Sequence, residues 1–465
     1  MSDQPLSLFA FDMQTPSHLT AGSWRIDGDQ GYRHTDLKYW TRVAKELEEA
    51  RFDGIFFADN VGYHDVYQGS ADAAIKDAAQ MPNLDPTMVI SAMAAATEHL
   101  TFGVTCSLTY EQPYLLARKF STLDHLTDGR IGWNVVTSYS ESAARNLGMT
   151  EQIPHDQRYD MAEEYMEVCY KLWESSWDQD AVIMDRVGGR YADPSRIHPI
   201  EHVGKYFSVQ GFNLTQPSPQ RTPLLFQAGS SSRGMAFAGK HAESVFINTT
   251  SVEAAARSVT KIRQATADAG RDPESVKIVV LLTVIVDTTD ERAAAKHERY
   301  AREVSIEGAL ARFSGWTGID MSPYDLDTPL KNVQTKGIQS IVDMFSKTDP
   351  DQDWTPRKVA EFLGIGGTGS TIVGSPTTVA AELQRWRAAG VDGINLSYAT
   401  KPGDWEQFIE LALPELRRQG LIADTRESGP ALTLRERLYG RGHAHTLQDH
   451  PASAYRSRAV APAAI

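Results

Sequence analysis

The chain is predicted to be an α/β protein, a TIM (β/α)8 barrel with long insertions after strands 4 and 7 and a C-terminal tail. Short β-rich runs alternate with helical patterns along the sequence, as in parallel β/α units and unlike a sandwich or a bundle. Eight such runs can be placed. Arg130 to Val136 is apolar enough to suit a strand covered on both faces. The 465 residues, 41% of them hydrophobic, exceed what one core usually fills, and a barrel with insertions fits that length as well as two domains do.

The elements follow in order. Leu6 to Phe11 is the first strand, and Leu37, Trp40, Val43, Ala44 and Leu47 then recur at helical spacing. Gly54 to Asp59 is the second. Asp85-Pro86 sets an N-cap before a proline suited to a first helical turn, and an alanine-rich helix runs on to Glu98. Leu100 to Cys106 is the third strand, and a helix from Pro113 to Leu126 leads to the fourth at Arg130 to Val136, paired with a helix over Tyr159 to Trp173. Pro223 to Gln227, Ser244 to Ile247 and Lys277 to Val286 make strands five to seven. Ser375-Pro376 starts the last helix, Gly390 ends it, and Gly393 to Tyr398 is the eighth strand.

One domain spans 1–439. The intervals at about 176–222 and 290–370 are too long for plain barrel connections and read as insertions over one end, candidates for a lid. The tail over 440–465 lacks periodicity and is expected to be disordered or to act as an arm toward a partner subunit. No apolar run reaches the roughly 20 residues of a membrane span, and the first residues lack a leader pattern, so a cytoplasmic enzyme is expected. Cys106 and Cys169 are the only cysteines, which excludes a disulfide framework and cysteine-rich metal sites. A formal charge of -14 disfavours nucleic acid and anionic membranes as partners and points to a small-molecule ligand. No metal is expected, because the histidines do not cluster at ligand spacings.

Barrel active sites lie at the C-terminal ends of the strands, and here those ends are polar. Asp59 ends the second strand, Thr105 the third, and Asn134 to Ser138 the fourth. After the fifth, Gln227 to Gly234 reads as an anion cradle: Gly229 allows close backbone approach, Ser230 and Ser231 add hydroxyls, and a helix N-terminus opens there. An ordinary serine-capped helix start explains the same residues equally well. His155 and Tyr159, four apart, share a helical face and both can donate to a phosphate. The run Gly364 to Ser370 lacks the lysine of a nucleotide loop and reads as a flexible connection.

At these same residues the sequence resembles the bacterial luciferase-like flavin monooxygenases, in the branch with nitrilotriacetate, EDTA, dibenzothiophene sulfone and dimethyl sulfide monooxygenases. The resemblance runs from about Leu6 to Gly420, through Phe57-Ala58-Asp59, Ala92 to Leu100, Ser121 to Leu126, Gly132 to Ser138, Ala144 to Gly148 and Phe226 to Ser230. It implies FMN across the strand ends, with Asp59 and Thr105 near the ring system and His155, Tyr159, Ser230 and Ser231 toward the phosphate. It also implies delivery of FMNH2 by a separate NADH-dependent flavin reductase, O2 as co-substrate, a C4a-(hydro)peroxyflavin shielded from water, and a homodimer or homotetramer. Phe11, Tyr63 and Trp133 are placed as candidates for the apolar wall, with Asn134 or His18 near the reacting oxygen; Asn134, His18 and Tyr63 are the catalytic candidates.

Ala10 to Asp12, Ala21 to Arg25, Asp65 to Ser70 and Glu111 to Arg118 look most like the dimethyl sulfide branch, which favours a small organosulfur substrate with C–S cleavage. A polyaminocarboxylate would want several cations, for which only Arg25 and Arg145 stand out. Three other readings stay open: deazaflavin-dependent hydride transfer, a non-catalytic flavin-binding subunit, and a hydrolase pairing Asp12 with Asp59.

Overall fold

Strand β1 (Ser7–Met13) hydrogen-bonds in parallel to β2 (Gly54–Ala58), and pairing continues through β3 (Thr101–Ser107), β4 (Ile131–Val136), β5 (Leu224–Gln227), β6 (Ser244–Ile247), β7 (Lys277–Val286) and β8 (Gly393–Ser397). β8 returns to β1, closing the ring. The computed structural model describes residues 4–229, 231–332, 353–424 and 430–456. All eight expected barrel strands are present, and the fold is a TIM barrel.

Local signals behave as their chemistry requires. Asp36 caps the helix Leu37–Glu49, accepting from the Lys38 amide at 2.9 Å, and the helix buries Tyr39, Trp40, Val43, Ala44 and Leu47 against the barrel. A ninth strand, Ser370–Gly374, escaped the sequence reading. β7 is ten residues long and projects past its neighbours, and Ser370–Gly374 pairs with its projecting half from Leu282 to Val286. Five residues after a glycine-rich turn carry too little periodicity to register.

The insertions have structure of their own. Residues 176–222 hold two antiparallel hairpins, Val182–Asp185 with Arg190–Ala192 and His202–Val203 with Ser208–Val209. The segment from 290 carries helices Asp290–Glu303, Ile306–Thr317 and Pro356–Gly364. Among the described residues no helix is long and apolar enough to cross a membrane.

Inside the ring, Phe9, Phe56, Phe226 and Phe246 form an aromatic layer with Leu224 and Val279. Phe56 and Phe246 stand 4.2 Å apart between ring centroids, and Phe226 stacks on Phe246 at 5.2 Å. Glycines make room for them. A Cβ on Gly103 would lie 2.5 Å from the Phe56 ring, and one on Gly132 would lie 2.6 Å from that of Phe226.

Helix Leu434–Tyr439 seals the N-terminal end of the barrel. Leu434 enters the aromatic layer from below, and Arg435 lies wholly buried against Glu243, with Nε donating to Oε1 at 2.6 Å and Nη2 to Oε2 at 2.9 Å. From Gly440 to Arg456 the chain continues against the barrel: the His450 Nε2–H donates to the His241 carbonyl at 2.8 Å, and Arg456 Nε reaches Glu174 at 2.8 Å. Beside these polar contacts only Ala452 and Tyr455 pack on the core, too few apolar residues to make a repeat. Residues 457–465 of the expected tail lie outside the described residues.

A buried ion pair stripped of one partner leaves an uncompensated charge, so Arg435→Ala is expected to cost about 3–5 kcal/mol, and Arg435→Met with Glu243→Met to recover most of it. Guanidinium denaturation midpoints of the two variants check this. A loss below about 1 kcal/mol in the single variant would show that the plug is not held by this pair.

Candidate active site

Above the aromatic layer the strand ends enclose a cavity of about 620 Å³. Phe11, Met13, Ala58, Asp59, Val135, Gln227 and Leu281 reach it from the strands or just beyond them. The following loops add His18, Gln80, Tyr139 and Gly229, and Trp316 and Thr368 arrive from the insertion after β7.

One end of the cavity is a cradle. Ser231 caps the helix Ser232–His241, its Oγ accepting from the Gly234 amide at 3.0 Å. The Gly229 amide donates to Gln227 Oε1 at 2.7 Å. A Cβ on Gly229 would fall 2.3 Å from Gln227 Nε2 and 3.1 Å from the Tyr159 hydroxyl, and one on Gly234 would fall 2.8 Å from that hydroxyl. Two glycines therefore let Tyr159 press against the turn. The His155 ring stands edge-on to Tyr159 at 5.2 Å, with Nε2 3.3 Å from Ser231 Oγ. Arg158 also lines the cavity, and its Nε is buried without an acceptor among the described residues. Hydroxyl, imidazole and a helix N-terminus meet there, and the Arg158 guanidinium, which donates to the Ile153 carbonyl, belongs to the same lining, a donor set that fits a phosphate. Ser230 lies outside the described residues.

The opposite end is drier. Phe11, Leu19, Leu281 and Trp316 supply apolar wall. His18 is buried there, its ring 4.7 Å from that of Phe11, and its Nδ1 has no partner among the described residues. Burial first, then the charges of Lys401 and Arg312, hold this imidazole well below its ordinary range, so it is neutral. Asp59 accepts from Asn83 Nδ2 at 3.0 Å, and burial pushes its carboxyl up to about 6.

A family model described as luciferase-like monooxygenase matches residues 17–393, most of the barrel. The chain belongs to the luciferase-like monooxygenase family. It is 50% identical over 97% of its length to the dimethyl-sulfide monooxygenase of Hyphomicrobium sulfonivorans, 94% of which is covered. It is 45% identical to the long-chain alkane monooxygenase of Geobacillus thermodenitrificans, over 96% of this chain and 97% of that one. A crystal structure of a riboflavin lyase with modified FMN and riboflavin superimposes with a TM-score of 0.87 at 37% identity, covering 97% of this chain and all of that one. This protein is a flavin-dependent monooxygenase of that family.

In this luciferase-like monooxygenase the residues singled out from sequence divide into three sets. Asp59, His18, His155, Tyr159, Gly229 and Ser231 line the one cavity. Thr105 and Asn134 do not. They face each other on β3 and β4 inside the barrel, where Asn134 Nδ2 donates to Thr105 Oγ1 at 2.9 Å and Thr105 donates to the Phe57 carbonyl at 2.9 Å. Among the described residues Asn134 Oδ1 is left buried without a donor. Tyr63 lines an adjoining cavity of about 600 Å³ that shares Asp59, Asn60 and Gln80 with the first.

Other sequence candidates fall elsewhere. Trp133 points outward from β4 into the helix layer against Phe120, Tyr165 and Trp173. Asp12 is wholly buried and paired with Lys401 at 2.9 Å, which removes it from any carboxylate pair with Asp59. Arg25 bonds the Glu303 carbonyl and Arg145 pairs with Asp65, both away from the cavity lining.

Gln80, Trp316 and Thr368 were missed. Gln80 has a left-handed backbone at φ 58, and its amide is pinned between His64 Nε2 at 3.1 Å and the His18 carbonyl at 3.2 Å. No local pattern marks a loop residue that the fold alone brings to the site.

Because the Asp59 carboxyl is raised from 3.8 to about 6, the folded state binds its proton more tightly than the unfolded chain does. Its contribution to stability is present at low pH and lost as pH rises through about 6. Relative to Asp59→Asn, the wild type is expected to lose about 2 kcal/mol between acid and neutral pH, a value discounted for partial exposure. Denaturation midpoints of both proteins across that window test this, and parallel curves would mean that the carboxyl is not perturbed.

Proposed function

We propose that the cavity binds FMN with its phosphate in the cradle of Tyr159, His155, Ser231 and Gly229 and its ring system reaching toward Asp59 and the apolar end. A cavity of about 620 Å³ lies within the range of cofactor sites, and one polar end joined to one apolar end matches a ribityl phosphate joined to a flat ring. Bound reduced FMN supplies the two electrons with which O2 is activated, one oxygen atom passing to the substrate and the other leaving as water. The chain's own residues bind, orient and keep water out. Phe11, Leu19, Leu281 and Trp316 form the dry wall, neutral His18 stands beside it, and Asn134 acts from below through Thr105. A separate NADH-dependent reductase is the proposed source of FMNH2.

The substrate we infer is a small uncharged organosulfur compound of the dimethyl sulfide kind. The observation that carries the class is the lining: among the described residues Arg158 is the only Lys or Arg in it. A polyaminocarboxylate would leave its carboxylates unanswered at the apolar end. A cavity of this size that also holds a flavin leaves space for a short molecule, which favours the sulfide over a long alkane. Hydroxylation of one methyl carbon of dimethyl sulfide then gives a product that breaks at the C–S bond into methanethiol and formaldehyde, with one water formed per O2 consumed.

Tyr159→Phe removes a hydroxyl aimed at the phosphate and Gly229→Ala fills the cradle, so each is expected to weaken FMN binding about tenfold or more, as for a lost hydrogen bond to a charged group. Quenching of flavin fluorescence reads this, and unchanged affinity in both variants would sink the phosphate assignment. For the reaction, photoreduced FMN and the enzyme are mixed with oxygenated buffer and dimethyl sulfide. Formaldehyde at about one per O2 is the expected product. Oxygen use without formaldehyde rules out this substrate.

A further inference from the structure

Helix Ile306–Thr317 carries a cation with no acidic neighbour. Arg312 is wholly buried, with Nη1 donating to the His18 carbonyl at 3.2 Å and Nη2 to the Leu363 carbonyl at 2.7 Å. Its Nε is buried without an acceptor among the described residues. Burial pulls the group down to about 10, which leaves it charged at neutral pH. Most other buried cations are answered: Lys401 by Asp12, Lys296 by Asp404, Arg435 by Glu243, while Arg130 and Arg221 have Glu48 and Glu174 near them; Arg271, which donates to the Gly239 and Ala242 carbonyls, is not among the residues that line the cavity. Among the described residues Arg312 has no such partner.

The charge stands one side chain behind the cavity wall. The Trp316 ring, whose centroid is 4.9 Å from the guanidinium carbon, lines the cavity, and so does His18, whose carbonyl Arg312 holds. Both nearby imidazoles, His18 and His64, are neutral, so neither cancels nor adds to the field. A buried charge unanswered by the protein is unfavourable unless an anion comes to meet it. Reduced flavin provides one. On releasing a ring proton to solvent it carries a negative charge that the oxidised ring lacks.

We infer that Arg312 is a positioning charge that makes the cavity select the anionic reduced flavin over the oxidised form, acting through the wall formed by Trp316 and His18. The inference rests on the proposal that the cavity binds FMN. At an effective dielectric of about 20, a unit charge behind one layer of side chain changes the affinity of an anion by about tenfold or more.

The test is an anaerobic titration of wild type, R312M and R312K with oxidised FMN and with photoreduced FMN. The wild type is expected to bind the reduced form at least about tenfold more tightly. R312M should lose about tenfold in reduced-form affinity while its oxidised-form affinity stays within about twofold, and R312K should keep most of the preference. An unchanged preference in R312M overturns the inference, and so does an equal loss of both affinities, which marks a purely structural tie between the His18 loop and helix Pro356–Gly364. Equal affinities in the wild type overturn it without any variant, so a failure of R312M to fold does not protect it. If the wild type binds neither form, the FMN assignment itself falls, and this inference with it.

Discussion

Closing eight parallel strands leaves an interior that side chains must fill, and here four phenylalanines from β1, β2, β5 and β6 fill it in one layer while Gly103 and Gly132 stand aside for them. That layer fixes the height of everything above. With the middle of the barrel occupied, the next residues along β3 and β4, Thr105 and Asn134, are held as a hydrogen-bonded pair between the phenylalanines and the cavity. The cavity then has to lie at the strand ends, where loops rather than strands supply most of its wall.

The strand ends hold few free charges. Asp12 is neutralised by Lys401, His18 and His64 are kept uncharged by burial, and the Asp59 carboxyl is raised. Positive character is supplied instead by Arg158 and by the N-terminus of helix Ser232–His241, both in the same cavity lining. One cavity is thus divided into a region that welcomes an anion and a region that excludes water. An oxygenase that must protect a reactive species needs that division.

Much of this was legible in the sequence because it rests on local rules. Each barrel strand is a short apolar run bounded by turn residues, and Asp59, His155, Tyr159, Gly229 and Ser231 sit at strand ends or on a helix start, positions that the barrel assigns to the site. What stayed hidden depends on where the fold carries distant segments. Trp316 and Thr368 come from an insertion whose path no periodicity describes, and Gln80 owes its place to a left-handed turn held by His64 and the loop after β1. Tyr63, a wall candidate under the resemblance, lines the adjoining cavity, past the turn in which the Gly62 amide donates to Asn60. Trp133 shows the limit of composition: strand alternation sends it outward, opposite to Asn134 beside it.

The plug formed by Leu434 and Arg435 has a consequence for traffic. Phenylalanines above it and a buried ion pair within it make the lower half of the barrel a solid bung. The chamber above is a cul-de-sac. On the proposed reading, a flavin, a gas molecule and an organic substrate would all have to enter it from the side of the strand ends.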